Sequence, residues 1–162
     1  MPKLLPIKIY PDPILRQKAA LIKKIDKDIK RLILAMSKTM KEKDGAGLAA
    51  PQVGESIRLV VINTKNGVLP LINPKITRKS WRKELGEEGC LSVPDFFAPV
   101  RRHKKIRVIY YNEENKQIKI SAEGMFARVI QHEIDHLNGV LFIDYLKRKD
   151  LPEVLKNNSL KK

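Results

Sequence analysis

The sequence predicts an α+β fold in a single domain. A helical pattern near the start is followed by several short runs rich in β-branched residues, and a second helical pattern follows those runs. This order favours helices and strands in separate stretches over a doubly wound sheet, in which the two alternate along the chain. The length of 162 residues fits one domain, so we expect residues 1–162 to form it, with a short C-terminal extension from about residue 147.

The first predicted helix starts near Asp26, whose side chain is a suitable N-cap. Apolar residues then recur at helical spacing and form one stripe suited to a core: Ile29, Leu32, Ile33, Met36 and Met40. Residues 44–47, which include two glycines, end the helical pattern.

Strands are predicted in the middle of the chain. Residues 58–63 are short, apolar and rich in β-branched side chains. Residues 69–76 also resemble a strand, but Pro70 and Pro74 interrupt it, so we expect it to lie at a sheet edge or to bend. Residues 106–112 and 117–122 flank a polar turn at 113–116 and predict a β-hairpin.

The second predicted helix covers residues 125–138 and ends at Asn138 and Gly139, a good C-cap. Its apolar face consists of Phe126, Val129, Ile130, Ile134 and Leu137. A short apolar segment follows, and Asp150 with Glu153 predicts a capping box that opens a short terminal helix.

Charge and composition exclude several classes of protein. No apolar stretch is long enough to span a bilayer, the N-terminus has no secretion signal, and one cysteine cannot form an internal disulfide framework. We therefore expect a cytoplasmic protein, or one of an organellar matrix if the source is a eukaryote, without a membrane partner. The formal net charge of +15 would attract polyanions, although a lysine-rich solvated surface explains it equally well.

The strongest chemical signal is the pair His132 and His136 on the second predicted helix. Residues four apart lie on the same face one turn along, so both imidazoles can face one metal ion. Glu133 would then lie close enough to meet a water molecule bound to that ion. The alternative is an ordinary amphipathic helix that carries surface histidines.

A catalytic site of this kind needs a third protein ligand, and two further segments carry candidates for the site. Cys90, the only cysteine, directly follows Gly89 and could complete a thiolate and imidazole set, or it could be an inert buried thiol. Residues 45–52 are small and end in Gln52, whose amide could hold a developing oxyanion. By composition alone, this segment could equally be a plain helix-to-strand connection.

Taken together and in this order, the three segments resemble the peptide deformylase family. They read Gly-Ala-Gly-Leu-Ala-Ala-Pro-Gln at 45–52, Glu-Gly-Cys-Leu-Ser at 88–92 and Gln-His-Glu-Ile-Asp-His at 131–136, and each family motif is complete. The resemblance runs from Pro11 to Phe142, while the C-terminal part lacks a long helical extension. It implies antiparallel or mixed β-sheets packed around a central metal-binding helix.

The resemblance also implies a role for each motif. Cys90, His132 and His136 would bind a divalent metal, Glu133 would act as general base, and the Gln52 amide with the Leu91 backbone N–H would hold the oxyanion. Residues around the site would bind substrate. Gly45 and Gly47 would lie beside its backbone. Val129 and Met125, one and two turns before His132, would line the methionine pocket or belong to the core, and Arg128 would reach the rim of the pocket. Glu88 would pair with Arg101 or Arg102, or be a solvated acid.

The implied reaction is removal of the N-formyl group from the formyl-methionine of new polypeptides. The implied metal is Fe²⁺, for which Zn²⁺, Ni²⁺ or Co²⁺ can substitute. We expect a monomer whose partners are nascent N-formylmethionyl polypeptides, with salt-dependent ribosome association through clusters such as 147–149 and 161–162. Two alternatives remain at this point, namely a His-Glu-x-x-His zinc endopeptidase and a basic module that binds ribosomal RNA.

Overall fold

The computed structural model of the chain describes residues 1–158. The Lys161 and Lys162 cluster therefore lies outside the described residues. Among the helices of residues 1–158, none is long and apolar enough to cross a membrane.

Helix α1 (Lys27–Glu42) begins where the sequence predicts. The Asp26 side chain accepts hydrogen bonds from the backbone N–H groups of Asp28 and Ile29, which satisfies two of the donors exposed at the helix start. The predicted stripe faces inward. Ile33, Met36 and Met40 are buried, while Ile29 and Leu32 pack at the margin of the same core.

Within residues 1–158, seven strands form two antiparallel sheets. A five-stranded sheet has the order β1-β2-β3-β6-β7, from β1 (Gly47–Ala49), β2 (Leu59–Thr64), β3 (Gly67–Lys79), β6 (Lys105–Tyr111) and β7 (Gln117–Glu123). A separate pair consists of β4 (Lys83–Cys90) and β5 (Val93–His103). The predicted strand at 58–63 and the hairpin of β6 with β7 are thus confirmed.

Strand β3 lies between β2 and β6, so the expectation of an edge strand is wrong and the expectation of a bend is confirmed. The part that contains Pro70 pairs with β2 alone. Pro74 lies where the register with β6 shifts, between Ile72 and Lys75. Neither proline therefore has to donate within a continuous two-sided ladder, which is why a central strand tolerates both.

The β4–β5 pair was not predicted from the sequence. Strand β4 reads Lys-Glu-Leu-Gly-Glu-Glu-Gly-Cys and lacks the β-branched and aromatic residues that mark strands. Its ladder with β5 runs from the Lys83–His103 pair to the Gly89–Phe97 pair, with a register shift before Cys90. Cys90 is the last residue of this strand and is partly buried.

Helix α2 (Gly124–Leu137) packs across one face of the five-stranded sheet. Ile130, Ile134 and Leu137 share a core cluster with Val60 of β2 and Val108 of β6. Alternate residues of β2 belong to a second cluster with α1. The sheet around β2 is therefore covered on both faces, and α2 lies between it and the β4–β5 pair.

The chain after α2 folds back against the β4–β5 pair. Gly139 follows the predicted C-cap Asn138 with φ +72°, a left-handed conformation that suits glycine. Phe142 then packs in a third cluster with Val93 and Val100 of β5. The predicted short terminal helix is present as α3 (Glu153–Asn158), but Asp150 does not open it, because Asp150 ends a 3-10 turn over Arg148–Asp150 and the helix begins only at Glu153.

Candidate active site

The sequence-predicted metal ligands come together at one point. One donor atom each from Cys90, His132 and His136 lies within 4.8 Å of the others. The two histidines occupy successive turns of α2, and Cys90 is at the end of β4. Cys90 Sγ is 3.3 Å from His136 Nε2. One sulfur and two imidazole nitrogens at this separation are a donor set suited to Zn²⁺ or Fe²⁺.

The orientation of His132 is set by Glu88 behind it. His132 Nδ1 donates to Glu88 Oε1 at 2.9 Å, which leaves Nε2 as the nitrogen available to a metal. Burial lowers the pKa of His132, but the hydrogen bonds with Cys90 and Glu88 outweigh burial and raise it to about 10. A divalent cation bound between the Cys90 thiolate and the His132 imidazole would take the place of the proton that these two groups share.

Glu88 is itself held by two buried arginines. Arg102 donates to both Glu88 oxygens at 2.9 Å, and Arg128 Nη1 donates to Oε2 at 2.8 Å. Burial raises the pKa of Glu88, but the hydrogen bonds from Arg102 and His132 prevail and lower it to about 2. The partner of Glu88 is thus Arg102, whereas Arg101 is exposed.

Glu133 points into the site from the same helix. It is buried, and within residues 1–158 its Oε2 has no hydrogen-bond partner, although such atoms are usually satisfied. Burial raises the pKa of Glu133 to about 7. A Cβ atom on Gly47 would lie 2.7 Å from Glu133 Oε1, so only glycine leaves room for this carboxylate. An unsatisfied buried carboxylate beside three metal-type donors is an arrangement suited to accepting a proton from water.

Gln52 also contacts Cys90, through its side-chain amide. Its Nε2 is 3.4 Å from Cys90 Sγ and 3.2 Å from Ser92 Oγ, and its Oε1 accepts from the Ala49 backbone N–H at 2.9 Å. Residues 45–52 are therefore more than a connection between elements, because they form β1 and place a fixed amide at the cluster.

Comparison with known proteins identifies the family. The sequence pattern that defines the polypeptide deformylases matches residues 4–151. The chain belongs to the peptide deformylase family. The peptide deformylase of Rhizobium meliloti is 49% identical over 148 residues, which is 88% of this chain and 85% of that protein.

Solved structures of this family have the same fold. The crystal structure of the Thermotoga maritima peptide deformylase is 44% identical, with a TM-score of 0.88, and the match covers 90% of this chain and 99% of that one. A class I type b peptide deformylase from Acinetobacter baumannii, bound to Met-Ala-Ser, is 34% identical with a TM-score of 0.85, over 90% of this chain and 100% of that one. Peptide deformylases are metal-dependent hydrolases, and the chain is an enzyme of this class.

The deformylase cavity beside the cluster has a volume of about 470 Å³. The residues predicted for substrate binding all line it, namely Gly45, Gly47, Met125 and Val129, as does Leu91. Arg128 also reaches the wall, but its guanidinium is occupied by Glu88 and by the carbonyls of Glu84, Gly86 and Val100.

Sequence reasoning missed one wall of this cavity. Phe97 of β5 lines it with 65% of its surface exposed, and Pro94 and Asp95 lie beside it. Phe97 packs over Gly89, where a Cβ atom would lie 2.4 Å from Phe97 Cε1, and no pattern in the sequence links these two positions. Glycine at this position lets the aromatic ring lie flat against β4.

Proposed function

We propose that the cluster of Cys90, His132 and His136, with Glu133 beside it, carries out the reaction of the deformylase family on this chain. That reaction is hydrolysis of the N-formyl group from the N-terminal methionine of nascent polypeptides. The convergence of three metal-type donor atoms within 4.8 Å, next to a buried carboxylate, carries the proposal. The endopeptidase and the RNA-only module are not supported, because neither accounts for a family match over residues 4–151.

The three donors would hold one divalent ion, and their chemistry fits it. One buried polar atom beside them, Glu133 Oε2, lacks a hydrogen-bond partner within residues 1–158, as expected for a group near an ion site. A bound divalent ion supplies Lewis acidity, which activates water and polarises a carbonyl. Fe²⁺ is the ion proposed for the cell, with Zn²⁺, Ni²⁺ and Co²⁺ as substitutes that the same ligands accept.

Glu133 would move the proton in both halves of the reaction. Its carboxylate accepts a proton from the water that attacks the formyl carbon, and it then returns this proton to the departing amine. Burial raises the pKa of Glu133, which favours acceptance of the proton from water by this carboxylate.

Gln52 and Leu91 would stabilise the charge that develops on the formyl oxygen. The Nε2 group of Gln52 directs one hydrogen at Cys90 Sγ over 3.4 Å, a weak contact that it can exchange for a stronger one to an oxyanion. The Leu91 backbone N–H lies between Cys90 and Ser92 in the chain and would be the second donor. Removing one donor of this kind typically costs about 10²–10³ in rate.

The cavity would bind the first residues of the substrate. Met125 and Val129 would line the methionine pocket, because both lie on the cavity side of α2 one to two turns before His132. Strand β1 is at the edge of its sheet, so Gly45 and Gly47 leave an open backbone along which a peptide can pair. The Acinetobacter relative with bound Met-Ala-Ser supports a peptide of this size.

We further propose cytoplasmic action as a monomer with salt-dependent ribosome association. The net charge of +15 supports the association, and the substrate leaves the ribosome at an RNA-rich surface. Co-sedimentation with ribosomes across a salt series tests it, and absence of co-sedimentation even at low salt would contradict it.

Release of formate from formyl-Met-Ala-Ser by the metal-loaded protein tests the proposed activity. We expect turnover that a chelator abolishes and that added metal restores. Cleavage of internal peptide bonds without formate release would overturn the assignment.

A further inference from the structure

The turn between β3 and β4 presents the only tryptophan of the chain to solvent. Trp81 is 99% exposed, although a large aromatic side chain is normally half-buried or more. Basic residues flank it on both sides, since the segment from 77 to 83 reads Thr-Arg-Lys-Ser-Trp-Arg-Lys. We refer to Arg78, Lys79, Trp81, Arg82, Lys105 and Arg107 as the Trp81 patch.

The cations of this patch are largely unneutralised. Among residues 1–158, Arg78, Lys79, Arg82 and Arg107 have no acidic group within ion-pair distance, and only Lys105 has one, in Glu123 at 3.5 Å. Arg78 and Arg107 are directly opposite each other in the register of β3 and β6. Like charges at such positions repel, so this arrangement costs stability that a bound polyanion would recover.

The patch borders a groove on the outer face of the sheet. Four cations line a cavity of about 410 Å³, namely Arg78, Lys79, Lys105 and Arg107. The rest of its lining comes from Ser80, Ile106, Ser121, Ala122 and one acid, Glu123. The neighbouring residues Ile106 and Val108 of β6 point to the opposite face, into the core under α2. The groove therefore offers four cations, of which Lys105 is paired with Glu123, and Trp81 lies next to it in the chain after Ser80.

We propose that the Trp81 patch binds single-stranded RNA. Trp81 stacks on one unpaired base, and the arginines and lysines on each side contact the phosphates that flank it. An exposed aromatic ring among cations is the arrangement by which proteins hold single strands. A membrane surface would call for a contiguous apolar patch, which one tryptophan does not provide.

The patch is separate from the deformylase site. Strand β4 connects them, and its eight residues from Lys83 to Cys90 span about 23 Å. This inference rests on the proposed function only in that it assigns a specific surface to the proposed ribosome association. RNA binding by the patch does not depend on the deformylase activity. Turnover of formyl-Met-Ala-Ser and RNA binding can therefore fail independently.

Fluorescence of the full chain tests the proposal directly, because Trp81 is the only tryptophan. We would titrate it with a single-stranded RNA 12-mer, with the same RNA as a duplex, and with anionic phosphatidylserine vesicles. The single strand should quench Trp81 emission, and its affinity should fall with salt at a log–log slope of about −3, as four phosphate contacts require. The duplex and the vesicles should have little effect on Trp81.

Two variants separate stacking from charge. Trp81→Ala should weaken binding at least about five-fold, measured by anisotropy of labelled RNA, and should leave the salt slope unchanged. The double variant Arg78→Gln/Arg107→Gln should keep the quenching at saturation but reduce the salt slope by about 1.4. A matched control, Lys23→Gln/Lys24→Gln, removes two exposed charges elsewhere and should change neither quantity. All variants should turn over formyl-Met-Ala-Ser normally, which also shows that they fold.

Three results would overturn the proposal. The first is RNA binding that Trp81→Ala and the control variant weaken equally, which would indicate diffuse charge. The second is equal quenching by duplex and single strand, which would exclude stacking on an unpaired base. The third is quenching or a blue shift with vesicles and none with RNA, which would assign the patch to a membrane surface.

Discussion

A Cβ atom at Gly47 would lie 2.7 Å from Glu133 Oε1 and 2.8 Å from Glu133 Cγ. Strand β1 and helix α2 are therefore in contact through a bare backbone, and the carboxylate lies against the sheet edge along which a peptide is proposed to pair. The contact explains in physical terms why a run of small residues precedes Gln52. It couples the position of the proposed base to the position of the proposed substrate strand.

Replacement of Gly47 tests this coupling. Gly47→Ala should displace the Glu133 carboxylate, because contacts under 3.0 Å cannot be accommodated without movement. A shift of about 1 Å at a catalytic group can cost about 10² in rate, and we expect a loss in kcat of that order with metal still bound. Steady-state kinetics with metal analysis measures it.

Gly45→Ala is the matched control for this variant. Its Cβ atom would meet Leu91 Cδ1 and Met40 Cγ at 3.3 Å, which are flexible ends that can move by a few tenths of an ångström. We expect a much smaller loss of kcat than for Gly47→Ala. Equal losses in the two variants would contradict a specific role for the Gly47–Glu133 contact.

The proposed base is tested by Glu133→Gln. The amide keeps the shape of the side chain but cannot accept a proton from water, so turnover should fall by at least about 10²-fold while metal content is unchanged. Glu55→Gln, a glutamate outside the cavity, is the control and should be fully active. Near-normal formate release by metal-loaded Glu133→Gln would exclude Glu133 as the base.

Glu88 should support both the metal site and the fold. Glu88→Gln removes the charge that orients His132 and leaves Arg102 and Arg128 without their shared carboxylate. Loss of such a partner typically costs about 10–100-fold in metal affinity. Breaking a buried ion pair costs about 3–5 kcal/mol of the free energy of unfolding, and the remaining Arg102–Asp135 contact should keep the loss near the lower end.

Competition with a chelator and urea denaturation measure these two effects of Glu88→Gln. Glu84→Gln is the control on the same strand, because Glu84 is paired with Lys104 at 3.3 Å near the surface and such pairs contribute little. A Glu88→Gln variant with unchanged metal affinity and unchanged stability would show that the network is dispensable.

Regular periodicity is what made parts of the fold predictable. The α1 stripe from Ile29 to Met40 and the hairpin of β6 with β7 carry local signals that tertiary structure did not override. Strand β4 has no such local signal. Its residues Gly86 and Gly89 leave space for the Arg128 guanidinium and the Phe97 ring, and glycine does not favour a strand. Its conformation is fixed by pairing with β5, which no local pattern in β4 encodes.

The candidate site also has residues that the sequence predicted and residues that it did not. The spacing of His132 and His136 on a helix already placed both imidazoles on one face. Cys90 could be joined to them only through the family resemblance, because its position depends on where β4 ends. Arg102 and Phe97 come from β5, and their contacts with Glu88 and Gly89 are cross-strand relationships, for which the sequence carries no spacing rule.

The identity of the metal is tested by reconstitution. Apoprotein would be loaded without oxygen with Fe²⁺, Ni²⁺ or Zn²⁺ and assayed for formate release before and after exposure to air. We expect the iron form to start fastest and to lose activity in air, the nickel form to persist, and the zinc form to be slow but stable, because zinc has no redox chemistry.

Loss of activity in the iron form should be accompanied by oxidation of the Cys90 sulfur. This residue is only partly buried and lines the cavity, so oxygen that enters the site reaches the sulfur and the metal together. A bound ion would hold Cys90 as a thiolate, and a thiolate that is no longer ligated would be open to stepwise oxidation by oxygen to sulfenic, sulfinic and sulfonic acids. Mass spectrometry of the inactivated protein should find these products on Cys90, and the zinc form should lack them after the same exposure. Equal initial rates and equal air stability for iron and zinc would refute the preference for iron, while the assignment of the ligands and of the hydrolase would stand.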